Sequence, residues 1–219
     1  MPRLLFEKTG NAVWVSHLDL MRLFQRAFKR AGLLLAHTQG FHPRPSVSIL
    51  LPLSVGVQSQ CELLDFSLVD TDISLDKIKD RLNETLVAGI RVLDVYDGGK
   101  KTAQLSLLEC QIGLEYDAGV PDNACIAIAE LFNRESVVVT KKTKSGPQEQ
   151  NTIPLIRRLE VVCVGDREVN INAMIHCQNP TLNPAQITAA IEKYLPEFNP
   201  DFCTYKRIEV YDNTETIFR

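Results

Sequence analysis

Residues 16–56, SHLDLMRLFQRAFKRAGLLLAHTQGFHPRPSVSILLPLSVG, place a capped helix, a Gly/Pro loop and a short buried strand in immediate succession. That succession leaves the chain few ways to fold. Ser16 and Asp19 have the S-x-x-D spacing of a capping box, which starts a helix at about Leu18. Leu20, Leu23, Phe24, Ala27, Phe28 and Ala31 recur at the spacing of one buried stripe, while Arg22, Arg26, Lys29 and Arg30 line the opposite side. Gly32 tolerates the left-handed conformation that closes many helices, and so supplies the stop. The loop that follows carries Gln39, Gly40, Phe41, His42, Pro43, Arg44 and Pro45; its two prolines stiffen a backbone that presents side chains instead of packing them. Val47, Ile49, Leu50 and Leu51 then read as a strand that Pro52 ends.

The neighbouring segments extend the pattern. Residues 3–8 alternate as a first strand, and residues 12–15 are expected to extend it or pair with it across Gly10-Asn11. Residues 62–69 form a third strand, Ser74 caps a helix with Ile78, Leu82 and Leu86 inward, and residues 90–96 form a fourth strand. The order βαββαβ is that of the ferredoxin-like unit, an antiparallel sheet with both helices on one face. After a linker at 97–102 the order recurs: strand 107–116, a helix opened by Pro121, strand 137–142, a polar hairpin or loop at 143–152, strands 156–164 and 169–175 around Gly165-Asp166, a helix begun by Asn183-Pro184, and strand 205–211. The expectation is an α+β protein of two tandem ferredoxin-like subdomains, 1–98 and 99–219, the second with an extra strand.

With 219 residues, 45% of them hydrophobic, the chain can bury two cores of this size. No apolar run approaches the ~20 residues that span a bilayer, and no signal-peptide pattern opens the chain, so the expected location is cytoplasmic. The six cysteines show no C-x-x-C pair and no iron–sulfur spacing, and read as reduced, small apolar residues. No cofactor or metal site is expected from them. Net charge is −3, yet residues 1–50 carry seven Lys/Arg against two acids, and three of the four histidines. A basic patch on an otherwise acidic chain is the footprint of a phosphate-bearing partner met at one place.

SHLDLMRLFQRAFKRAGL, TQGFHPRP and LPLSVGVQSQCELLDFSL closely resemble the radical SAM-linked domain family, an uncharacterised bacterial group, and NTIPLIRRLEV and YKRIEVY resemble its shorter second-half motifs. Members lie beside, or fused C-terminally to, B12-binding radical SAM proteins, so the resemblance implies such a partner. The chain departs from that pattern at His42, where Asn is expected, and at Gln150-Asn151, where an acid commonly stands. More distantly, the basic helix followed by a Gly-Phe loop is similar to the CRISPR repeat-RNA processing endoribonucleases, tandem ferredoxin-like RNA binders. Their Gly-rich C-terminal loop has no counterpart, since residues 196–219 contain no glycine.

With RNA as partner, Arg22, Arg26, Lys29 and Arg30 would neutralise phosphates, Phe41 would stack on an unpaired base, and Gln39 or Arg44 would read a base edge. The competing reading is a solvated helix face and a loop aromatic tucked into the core. A metal-independent endoribonuclease would use His17 as general acid or base, with His42 or Arg44 stabilising the leaving group or the phosphorane. Against that, His17 reads as a structural residue bonding the first strand to the loop. Glu62 and Asp65, three apart in a strand, face opposite ways and make no carboxylate pair. Lys141, Lys142 and Lys144 read as a solvated cluster, and Trp14 as core. The expectation is an accessory RNA-binding module working with a radical SAM enzyme, not catalytic alone; an endoribonuclease and a protein-docking domain are the alternatives.

Overall fold

The computed structural model describes residues 1–143 and 146–219. They form two compact units, 1–102 together with Arg219, and 103–218. The class is mixed α+β, with four α-helices among the described residues.

The first unit runs β1 (Arg3–Lys8), α1 (His17–Arg30), β2 (Val47–Ile49), β3 (Val57–Phe66), α2 (Leu75–Asn83) and β4 (Ile90–Tyr96). Its strands lie in the order β4-β1-β3-β2, each pairing antiparallel. Alternation along β1 sends Leu4 and Phe6 into the core, where Leu20, Phe24, Ala27 and Phe28 of α1 meet them, all fully buried. Phe24 packs edge-on against Phe6 at 4.7 Å, and Phe28 lies 5.0 Å from Phe66, so α1 sits over the two central strands. Ile78 and Leu82 of α2 close the same core. Each of these rings contributes about 1.5–3 kcal/mol by leaving water.

Residues 12–15 do not form a strand. A 3-10 turn (Gly10–Trp14) stands there, because the fully buried Lys8 donates from Nζ to the carbonyls of Val13 at 3.0 Å and Val15 at 2.9 Å. The turn points Ala12 and Val13 inward and leaves Trp14 66% exposed, so Trp14 is not a core residue. Gly89, at φ +85°, lies where a Cβ would overlap the Thr9 carbonyl and Ala12, which lets the start of β4 close on this turn.

The second unit runs β5 (Leu105–Glu115), α3 (Ala124–Phe132), β6 (Val138–Thr143), β7 (Gly146–Asn151), β8 (Ile156–Val164), β9 (Glu168–His176), α4 (Pro184–Tyr194) and β10 (Phe202–Asp212). The sheet order is β10-β5-β9-β8, antiparallel throughout, and β6 pairs with β7 in a separate two-stranded sheet. With that hairpin set aside, the succession of elements and the neighbours of each strand repeat those of the first unit. Asn183 accepts from the Ala185 amide at 3.0 Å while Gln186 accepts from the Asn183 amide at 2.9 Å, which fixes the start of α4. Pro121 does not open α3; Asn123 adopts φ 64° and the helix begins at Ala124.

Two cysteines depart from the all-reduced expectation. Cys125 on α3 and Cys163 on β8 form a disulfide, with Cα atoms 6.3 Å apart. Cys61, Cys110 and Cys177 are buried free thiols, and Cys203 is half-buried. No helix among the described residues is long and apolar enough to cross a membrane.

Candidate nucleic-acid interface

Helix α1 turns a charged face outward because its apolar residues are spent on the sheet. At its first turn the Asp19 amide donates to Ser16 Oγ at 3.2 Å, and the Ser16 hydroxyl donates to the Asp19 carboxylate at 2.7 Å. That hydrogen bond, followed by one from Arg22, holds the Asp19 carboxyl below its usual range. Arg22 reaches Asp19 at 3.0 Å, a surface pair one turn apart that solvent screens. Arg30 donates to the Thr85 carbonyl at 2.6 Å, and the Thr85 hydroxyl donates back to the Ala27 carbonyl at 3.3 Å. These two bonds tie the loop after α2 to the flank of α1.

A groove of about 470 Å³ results, lined by Val15, Asp19, Arg22, Leu23, Arg26, Arg30 and Val87. Leu23, expected in the buried stripe, is only half-buried and forms floor with Val15 and Val87. Arg26 and Lys29 are exposed; neither forms a salt bridge among the described residues, although the Arg26 charge helps lower the Asp19 carboxyl. Arg22 and Arg30 are therefore positioned by their own contacts, while Arg26 and Lys29 are available to an anion. The sequence pattern located the cations, but not Val15, nor Thr85 and Val87, whose part depends on a loop more than fifty residues downstream folding back on α1.

The Gly-Phe loop is held at its base. Thr38 donates its amide to the Arg44 carbonyl at 2.8 Å, Arg44 donates to Thr38 Oγ1 at 3.1 Å, and the Ser46 amide bonds to Ala36 at 2.7 Å. Five residues, 39–43, remain as a tip. Phe41 there is fully exposed, so it is not tucked into the core, and Gln39, His42 and Arg44 are exposed beside it. The loop tip thus holds a full aromatic ring in water, flanked by polar side chains.

The candidate catalytic residues are less assembled. His17 is the first residue of α1, half-buried, with Nδ1 buried and lacking a hydrogen-bond partner. Among the described residues no hydrogen bond joins it to His42 or Arg44, nor does one through His17 brace β1 against the loop. No cluster of three His, Cys, Asp or Glu side chains suited to a metal occurs among the described residues. Glu62 lies opposite Phe6 and Asp65 opposite Arg3, on the two faces of the sheet. Lys141 donates to the Thr181 carbonyl at 3.1 Å; Lys144 and the Lys142 side chain fall outside the described residues.

Fold and site together define a two-unit α+β protein with a cationic, apolar-floored groove beside its first helix. The chain belongs to the bacterial family described as "Uncharacterized protein conserved in bacteria (DUF2344)", whose sequence model matches residues 2–184. No curated protein matches it. Among solved structures it is similar to a Cbf5-Nop10-Gar1 complex, with a TM-score of 0.50, 9% identity, and 95% of this chain aligned to 48% of that one. An H/ACA RNP bound to a substrate RNA containing 2'-deoxyuridine follows at TM-score 0.49 and 9% identity, covering 94% of this chain and 46% of that one. The archaeal box H/ACA sRNP Nop10-Cbf5 complex gives 0.48 and 8%, over 94% and 46%. The chain thus spans about half the length of the chains it resembles. At this identity the first likeness speaks to the fold alone.

Proposed function

We propose that this chain is an accessory, cytoplasmic RNA-binding module of two ferredoxin-like subdomains, 1–98 and 99–219, that presents RNA to a radical SAM enzyme. The observation that carries the RNA reading is the groove beside α1, where Arg22, Arg26 and Arg30 outnumber the single acid Asp19 around Val15, Leu23 and Val87, with Lys29 exposed on the same helix. Phosphates sit against these cations, an unpaired base stacks on Phe41, and Gln39 and Arg44 read its edge. The repeated strand order supports the two-subdomain reading. The B12-binding radical SAM partner rests on the sequence resemblance, strongest over residues 3–70. Nuclease action gains no support, since among the described residues no acid or base is hydrogen-bonded to His17.

The test is fluorescence anisotropy with single-stranded RNA across a salt series. Arg26→Glu with Lys29→Glu should weaken binding and flatten the logarithmic salt dependence by about 0.7 per lost phosphate contact. Phe41→Ala should cost on the order of tenfold to a hundredfold with little change in that slope. Wild-type affinity in both variants would refute the interface.

A further inference from the structure

We infer that β8 is a self-association edge through which two copies of this chain join their sheets antiparallel about Leu159. β8 ends the strand order of the second unit, and among the described residues β9 alone pairs with it. β8 has a register irregularity between Ile156 and Arg158, but from Arg158 to Val164 it pairs regularly with β9 and contains no proline, glycine or lysine to blunt the outer edge. By contrast, the outer strand β2 of the first unit is only three residues. Val162 and Val164 on β8 are 37% and 43% exposed, apolar surface that a neighbouring strand would cover.

Charge selects the occupant. Arg158 and Glu160 are two apart, so both project from the same face of the sheet, on either side of Leu159. Both are exposed; among the described residues Arg158 makes a 3.8 Å contact with Glu215 and a 3.5 Å contact with the Met174 sulfur. When Leu159 faces Leu159 of a second copy, Arg158 of each strand stands opposite Glu160 of the other, twice over. Sliding by two residues in either direction sets Arg158 against Arg158 or Glu160 against Glu160, which is repulsive. A slip by one turns the wrong faces together. The edge is therefore complementary to itself in one register, the condition for a closed two-fold interface.

The test is sedimentation velocity of the full chain from about 1 to about 100 µM, with hydrogen exchange followed over the same range. Wild type should dimerise with concentration, and exchange along β8 should slow as it does. Arg158→Glu alone and Glu160→Arg alone each set like charges opposite and should raise the dissociation constant about tenfold. The double variant Arg158→Glu/Glu160→Arg reverses the pair and should restore dimerisation to near wild type. A monomer throughout, a dimer indifferent to the single charge reversals, or a double variant as weak as the singles would each overturn the assignment.

Discussion

Removing Asp65 should unfold the first unit more readily than any surface change near it. Arg3 on β1 and Asp65 on β3 are register partners, bonded Nε to Oδ1 at 2.6 Å and Nη2 to Oδ2 at 3.1 Å, with side chains 5% and 14% exposed. The third nitrogen, Nη1, donates to the Lys100 carbonyl at 3.0 Å, and a side chain at Gly99 would press on the guanidinium. Burial by itself would lower the Arg3 pKa; the hydrogen bond and charge of Asp65 outweigh it and raise the value. Asp65→Ala removes two charge-assisted bonds and leaves the cation buried, a loss of about 3–5 kcal/mol. For a chain of this length that is roughly 6–20 °C in Tm. Urea denaturation followed by circular dichroism, with calorimetry for Tm, measures it. The double replacement Arg3→Met/Asp65→Leu removes both charges and should come back to within about 1 kcal/mol of wild type. A loss below about 1 kcal/mol for Asp65→Ala, or a double variant as unstable as the single, would refute the reasoning, because the penalty is assigned to an uncompensated buried charge and not to lost packing.

The Cys125–Cys163 disulfide closes a span of 38 residues, so reduction should cost about 4 kcal/mol by chain entropy. Thiol titration in denaturant should find four free thiols per chain before reduction and six after; six at the outset would contradict the pairing. Tyr211 and Tyr116 are both pushed up to about 12, Tyr211 by burial and then its hydrogen bond to Glu109, Tyr116 by burial and then nearby Cys203 and Asp201. The folded state therefore holds these protons longer than the unfolded chain, whose phenols titrate near 10, and their stabilising share is lost as pH rises from about 10 to about 12. Ultraviolet titration of the phenols should show a late phase that Tyr211→Phe and Tyr116→Phe each reduce; normal titration of both would contradict it.

Much of the fold could be read in advance because its signals are local. The α1 stripe of Leu20, Phe24, Ala27 and Phe28, the alternation of β1, the boundaries of β4 and β8 and the Asn183 cap depend on residues within a turn or two of one another, and each stands where periodicity and capping put it. The cations of α1 were legible for the same reason: a helix that buries one stripe must expose the other. Where a distant residue competes, local reading failed. Residues 12–15 look like a strand until the buried Lys8 amine claims the carbonyls of Val13 and Val15, and that same turn puts Trp14 in water. Cys125 and Cys163 carry no spacing signal, because α3 and β8 meet only when the second sheet closes. The groove belongs to the same class. By itself the sequence determined the two-faced helix, the braced Gly-Phe loop and the alternation of strands and helices. Only the tertiary structure decided that Thr85 and Val87 return to α1 to enclose a groove, since a carbonyl accepting from Arg30 across 55 positions leaves no mark in the order of residues.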